Sequence, residues 1–169
     1  MNLIEKWKNG GGSCPPSPGL FDIFMGWLGG VLSIGAIGYV AHVTEYPLVL
    51  GSFGASCVLI FGFPESPFSQ PRNVIGGHLL ASFIGLVFLF LLGSHWWSMA
   101  LAAGTAIAAM MCTKTVHPPA GSNPLIIMLS LPTWEFLLTP TLIGATILVL
   151  VALFFNNLPR QRVYPRYWF

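Results

Sequence analysis

Residues 117–124 read HPPAGSNP, and they sit between AIAAMM (106–111) and LIIMLSL (125–131). A proline fixes its own backbone angle and removes a hydrogen-bond donor. Three prolines beside Gly121, Ser122 and Asn123 therefore interrupt an apolar run that would otherwise continue as a buried helix. Whether this string opens a further crossing of a bilayer, or turns back as a re-entrant loop, decides the topology.

The composition places the chain in a membrane. Of 169 residues, 54% are hydrophobic and 7% charged, and mean hydropathy is +0.75. Soluble domains carry about 25% charged residues. A helix needs about 20 apolar residues to cross a hydrocarbon core. Segments near 21–43, 47–63, 74–93, 97–112 and 136–156 qualify as spans, the second interrupted by PLVLGSFGAS. The stretch 118–131 is the doubtful sixth. Basic residues favour the cytoplasmic side. Six crossings put Lys6, Lys8, Arg72, Lys114, Arg160, Arg162 and Arg166 on one side, with Glu45 and Glu135 on the other. A re-entrant loop would separate the RQR tail from the rest. Six crossings with both termini cytoplasmic is the better fit. The chain then divides into a disordered cytoplasmic arm (1–20), a transmembrane domain (21–156) and a basic, aromatic tail (157–169).

Three crossings per half invite comparison of the middle spans. EYPLVLGSFGASCVLIFG (45–62) and HPPAGSNPLIIMLSL (117–131) each begin near proline, carry a Gly-Ser pair, and end in a short apolar helix. Run in opposite directions, they fit a 3+3 inverted repeat in an all-α membrane protein. In such folds the broken segments of the two halves line the substrate site. The breaks are expected at Gly51–Ser56 and Pro119–Pro124. Asn123 before Pro124 suits a helix N-cap, with Ser52 or Ser56 in that role in the first half.

Two helix starts near mid-depth present free N–H groups and favour a small anion or a polar neutral solute. Carboxylates are nearly absent from the spans, which argues against a cation path. The expected binding residues are Ser52, Gly54, Ser56, His117, Gly121, Ser122 and Asn123. Arg72, Asn73, His78 and Lys114 are expected at an anion entrance or gate. Structural roles compete: Lys114 as a snorkelling anchor, His117 as a helix cap, His78 as a partner of a backbone carbonyl. Gly26 and Gly30 form a GxxxG pair, and Ala102, Gly104, Ala106 and Ala108 give the fourth span small faces, all read as packing. Cys14, Cys57 and Cys112 lack metal-ligand or paired spacing, and those in apolar stretches read as packing residues. No motif indicates nucleic-acid binding, a metal, a cofactor or an enzyme.

The string TVHPPAGSNPLI resembles the signature of the HPP family of integral membrane proteins, with Val116 between the threonine and the histidine. GSFGAS followed by an apolar run, SPFSQPRNVIGGH (66–78) and the small-residue fourth span extend the resemblance over about 20–156. The motifs fall on Gly51, Ser52, Gly54, Ser56, Gln70, Arg72, Asn73, His78, His117, Pro118, Pro119, Gly121, Ser122 and Asn123. The family is described with four or more spans. Cyanobacterial and plastid members are tied to nitrite transport, and longer members carry soluble domains. The resemblance implies a permease or channel with nitrite as leading substrate, in a bacterial, cyanobacterial-type inner membrane. A pore for nitrous acid, ammonia or a small amide, and a membrane scaffold, are the alternatives. A homodimer or other homo-oligomer is the expected assembly, with the GxxxG face offering one place for it.

Overall fold

A computed structural model describes residues 3–8 and 13–168. Positions 1, 2 and 9–12 of the expected disordered arm, and 169 of the tail, lie outside the described residues. All regular structure among the described residues is helical: α1 Leu3–Lys8, α2 Leu20–Thr44, α3 Gly51–Gly62, α4 Pro71–Leu92, α5 Trp96–Cys112, α6 Asn123–Ser130 and α7 Ile143–Phe155. Short 3-10 turns precede α4 (67–69) and α6 (118–122). Another 3-10 turn and a π-helical stretch lead into α7 (134–142). Three runs are long and apolar enough to cross a membrane: Leu20–Thr44, Pro71–Leu92 and Trp134–Phe155. α5 is apolar but has 17 residues, α3 has 12 and α6 has 8. At 1.5 Å per residue, α3 spans about 18 Å and α6 about 12 Å, short of a core about 30 Å thick.

The connections gather at two ends. At one, the tail end, Arg162 pairs with Asp22 at 2.7 Å and Arg72 donates to Thr113 O at 2.9 Å. There Tyr164 also donates to Ser69 O at 2.8 Å. At the opposite end, Ser94 donates to Met128 O at 2.7 Å. A cavity of about 920 Å³ opens between Val40–Leu50 and Ile126–Ile143. α3 is reached from the opposite end through the non-helical residues 45–50, and α6 from the tail end through 113–122. The two short helices thus run in opposite directions.

Local chemistry sets these boundaries. Pro71 at the first position and Ser66 capping Phe68 N open the α4 region. α5 ends in a Schellman motif: Thr115 N donates to Met110 O at 2.9 Å, Lys114 N to Met111 O at 3.3 Å, and Lys114 holds φ 57°. That left-handed position usually falls to glycine. Two expectations are corrected here. Gly51–Ser56 is not unwound: it is the first part of α3, and the irregular stretch is 45–50, where Pro47 has no N–H to donate to a continuing helix. Nor do Asn123, Ser52 or Ser56 cap a helix. Residues 122 and 50 occupy the cap positions of α6 and α3, without side-chain bonds.

Close packing explains the glycines. A Cβ on Gly29 would lie 2.4 Å from Phe61 and 3.0 Å from Phe155. On Gly144 it would meet Phe53 at 2.3 Å. Gly29, and not the GxxxG member Gly26, is therefore where α2 admits its neighbours; Gly26 faces open space. On α5, Ala102 and Ala106 pack inward, whereas Gly104 and Ala108 face outward. Cys57 is buried beside Gly30, and Cys14 and Cys112 are exposed.

Candidate functional site

The long apolar α4 carries a small-residue stripe at helical spacing: Gly77, Ala81 and Gly85. The 113–124 segment lies against it. A Cβ on Gly77 would come within 2.8 Å of His117 Cβ and 2.9 Å of Thr115 O; one on Gly85 would stand 2.9 Å from Pro124 Cα. The prolines keep 118–122 in a tight turn, Ala120 N bonding back to His117 O at 2.9 Å. This seating turns His117 and Asn123 inward, toward α3 and α4.

The result is one buried chain of hydrogen bonds. His117 Nδ1 meets Phe68 O at 2.7 Å, and its Nε2 meets Ser56 Oγ at 2.8 Å. Ser56 Oγ is also 2.9 Å from His78 Nε2 and 3.0 Å from Ser52 O. Asn123 Nδ2 reaches His78 Nδ1 at 3.1 Å and Ser82 Oγ at 2.9 Å, and Ser82 Oγ meets Thr141 Oγ1 at 3.0 Å. Ser56, His78, Ser82, His117, Asn123 and Thr141 are all fully enclosed. Phe53 sets its ring edge against His78, and the two imidazoles meet edge to face with centroids 5.0 Å apart.

Proton placement follows from the partners. A carbonyl only accepts, so His117 Nδ1 carries hydrogen, and in the neutral ring Nε2 accepts. Ser56 then donates its hydroxyl to His117 and accepts from His78 Nε2–H. His78 Nδ1 accepts from the Asn123 amide, which donates its second hydrogen to Ser82. One branch points from Asn123 through His78 and Ser56 to His117 and Phe68 O, and a second leads from Asn123 to Ser82 and Thr141. Two groups are left over: Asn123 Oδ1 and Ser52 Oγ are buried without a partner, as is Ser33 Oγ on α2.

Of the residues expected to bind solute, Ser56, His117 and Asn123 come together, and Ser52 lies one turn from Ser56. Gly54 faces outward on α3, and Gly121 and Ser122 are half-buried, Ser122 donating to Pro119 O at 2.8 Å. Of the expected entrance residues, His78 is inside the chain itself. Arg72 stands at the tail end, and Lys114 is exposed there. Asn73 is buried, donating to Val116 O at 2.9 Å and accepting from Tyr167 at 3.4 Å. Ser82 and Thr141 were not anticipated. Ser82 follows His78 by four residues on one helix face, a legible signal; Thr141 is marked only by hydroxyls within an apolar run. His42 and His95 are exposed, His95 stacking on Trp97. Among the described residues no three His, Cys, Asp or Glu side chains cluster as metal ligands would.

The family model of the HPP transmembrane region matches residues 15–165. The chain belongs to the HPP family. Two Dictyostelium discoideum transmembrane proteins are similar to this HPP chain. One is 38% identical over 181 aligned positions, covering 99% of the chain and 64% of that protein. The other is 36% identical over 180, covering 99% and 58%. The chain spans roughly three-fifths of the length of these relatives. No solved structure matches it.

Proposed function

We propose that this HPP protein is a permease for a small inorganic anion, with nitrite the leading candidate, and that the His–Ser–Asn chain is where the solute passes the bilayer midplane. One observation carries the reading: six fully enclosed polar side chains from α3, α4, the HPP segment and the approach to α7 form a single connected network inside the helical bundle. Polar groups at that depth are costly and are commonly retained for function. The opposite directions of α3 and α6 support a 3+3 inverted repeat with six crossings, the non-helical segments 45–50 and 113–117 completing the two short helices. The basic tail end is then cytoplasmic.

The test is nitrite uptake into vesicles holding the purified full chain. Uptake above empty vesicles that falls in Asn123→Ala supports the permease; no uptake above empty vesicles removes it. Two alternatives rest on particular observations. The absence of formal charge within the network favours a neutral-solute pore, seen as flux indifferent to nitrite concentration at fixed nitrous acid. Complete enclosure favours a scaffold, seen as stable association with another membrane protein and no flux.

A further inference from the structure

Ser56 has more acceptors than hydrogens. Its single hydroxyl hydrogen lies within reach of both His117 Nε2 at 2.8 Å and Ser52 O at 3.0 Å. The neutral network uses the first. Now add a proton to His117 Nε2. The imidazolium donates from Nδ1 to Phe68 O and from Nε2 to Ser56 Oγ, and the Ser56 hydroxyl turns to Ser52 O. His78 Nε2–H continues to donate to Ser56. Loading a proton therefore orphans no buried group, and turning one hydroxyl is the only rearrangement it requires.

A lone imidazolium is nonetheless expensive in a dry site. No carboxylate faces the rings among the described residues. α3 brings only Cys57, and α4 only Arg72, whose guanidinium is turned to Thr113 O. The 113–117 segment brings Lys114, which is exposed, and α6 and α7 bring no titratable group. At the tail, Arg166 is paired with Glu65 and Tyr164 is bonded to Ser69 O. The missing counter-charge is what an anionic solute supplies. Anion and proton each make the other's burial tolerable, which is a reciprocal coupling of their affinities.

We propose that the anion is carried together with one proton, held on His117, with the Ser56 hydroxyl switching between His117 and Ser52 as the proton arrives and leaves. This rests on the permease reading above. The step balances: one N–H bond forms at Nε2 as an anion enters, the same bond breaks on release, and no net charge crosses.

The experiment uses the full chain in vesicles containing a pH-reporting dye, with an inward nitrite gradient and the potential clamped. Wild-type vesicles should acidify by one proton per nitrite, beyond the passive nitrous acid leak of empty vesicles. Apparent nitrite affinity should rise about tenfold per unit fall in pH above the His117 titration. Ser56→Ala should reduce proton-coupled uptake at least tenfold, and Ser56→Thr, which keeps the hydroxyl, should retain it. If Ser56→Ala does not fold, His117→Gln replaces it, with the same loss expected. Nitrite uptake that carries charge and ignores pH overturns the coupling and leaves the permease standing. Unaltered coupling in His117→Gln overturns the assignment to that ring. Absence of nitrite uptake in the wild type removes both readings.

Discussion

Ser82 has a partner on each side, Asn123 and Thr141, and no exposure to water. Ser82→Ala leaves Thr141 without its partner and takes one acceptor from Asn123, and Thr141→Val takes one of the two partners of the Ser82 hydroxyl. Each should lower stability by about 1–3 kcal/mol, and the double variant should cost less than the sum, since the second change removes an already unpaired group. Thermal unfolding in detergent, run as a double-mutant cycle, reads this coupling; strict additivity would show that the Ser82–Thr141 contact is not a bond in the folded protein. Lys114 offers the opposite sign. Its φ of 57° is held by the Schellman motif and not by its side chain. Lys114→Gly should stabilise the chain by about 1 kcal/mol. If it instead destabilises, the ammonium has a partner that outweighs the relieved backbone.

Helices in this protein approach each other at glycines, and not at all of those a small-xxx-small pattern selects. Gly29→Ala and Gly85→Ala should each cost about 1–3 kcal/mol through overpacking, while Gly26→Ala should be neutral; melting temperatures of the three variants decide it. The reason exposes what the sequence can carry. Three of the expected spans, 21–43, 74–93 and 136–156, were legible, because these runs are long and apolar, and so was the HPP break, because prolines are local signals. The site was half legible. Ser56, His117 and Asn123 could be picked out by their setting among Gly and Pro. Their roles could not, since a rule about caps sees only neighbours in sequence. Asn123 bonds His78, 45 positions away, and that pairing depends on how α6 seats on α4. Likewise 45–56 gave proline and glycine signals together, which left open whether Gly51 belongs to the break or, as the structure has it, to α3.

At the scale of the molecule, the C-terminal segment ties the tail end together. Arg162 reaches Asp22 and Phe61 O, Tyr164 reaches Ser69 O, and Arg166 N donates to Gln70 Oε1 at 2.7 Å. Burial pushes the Tyr164 hydroxyl above its ordinary range, so it remains protonated and donating through neutral pH. This raised value adds stability that is fully present below the ordinary tyrosine range and is lost progressively as alkaline pH climbs from that range up to the folded value. Tyr164→Phe should therefore cost about 1 kcal/mol at neutral pH and erase that alkaline loss, as followed by unfolding at pH 7 and pH 11. The brevity of α6 has a further consequence, for biosynthesis. An eight-residue helix cannot partition into a bilayer unaided, and the partners that satisfy its polar lead-in, Ser56, His78 and Phe68 O, all leave the ribosome before it does. The HPP segment is therefore received by helices already inserted, and a defect in α3 or α4 should surface during synthesis as a failure of that segment to seat, while the long apolar run Trp134–Phe155 still integrates.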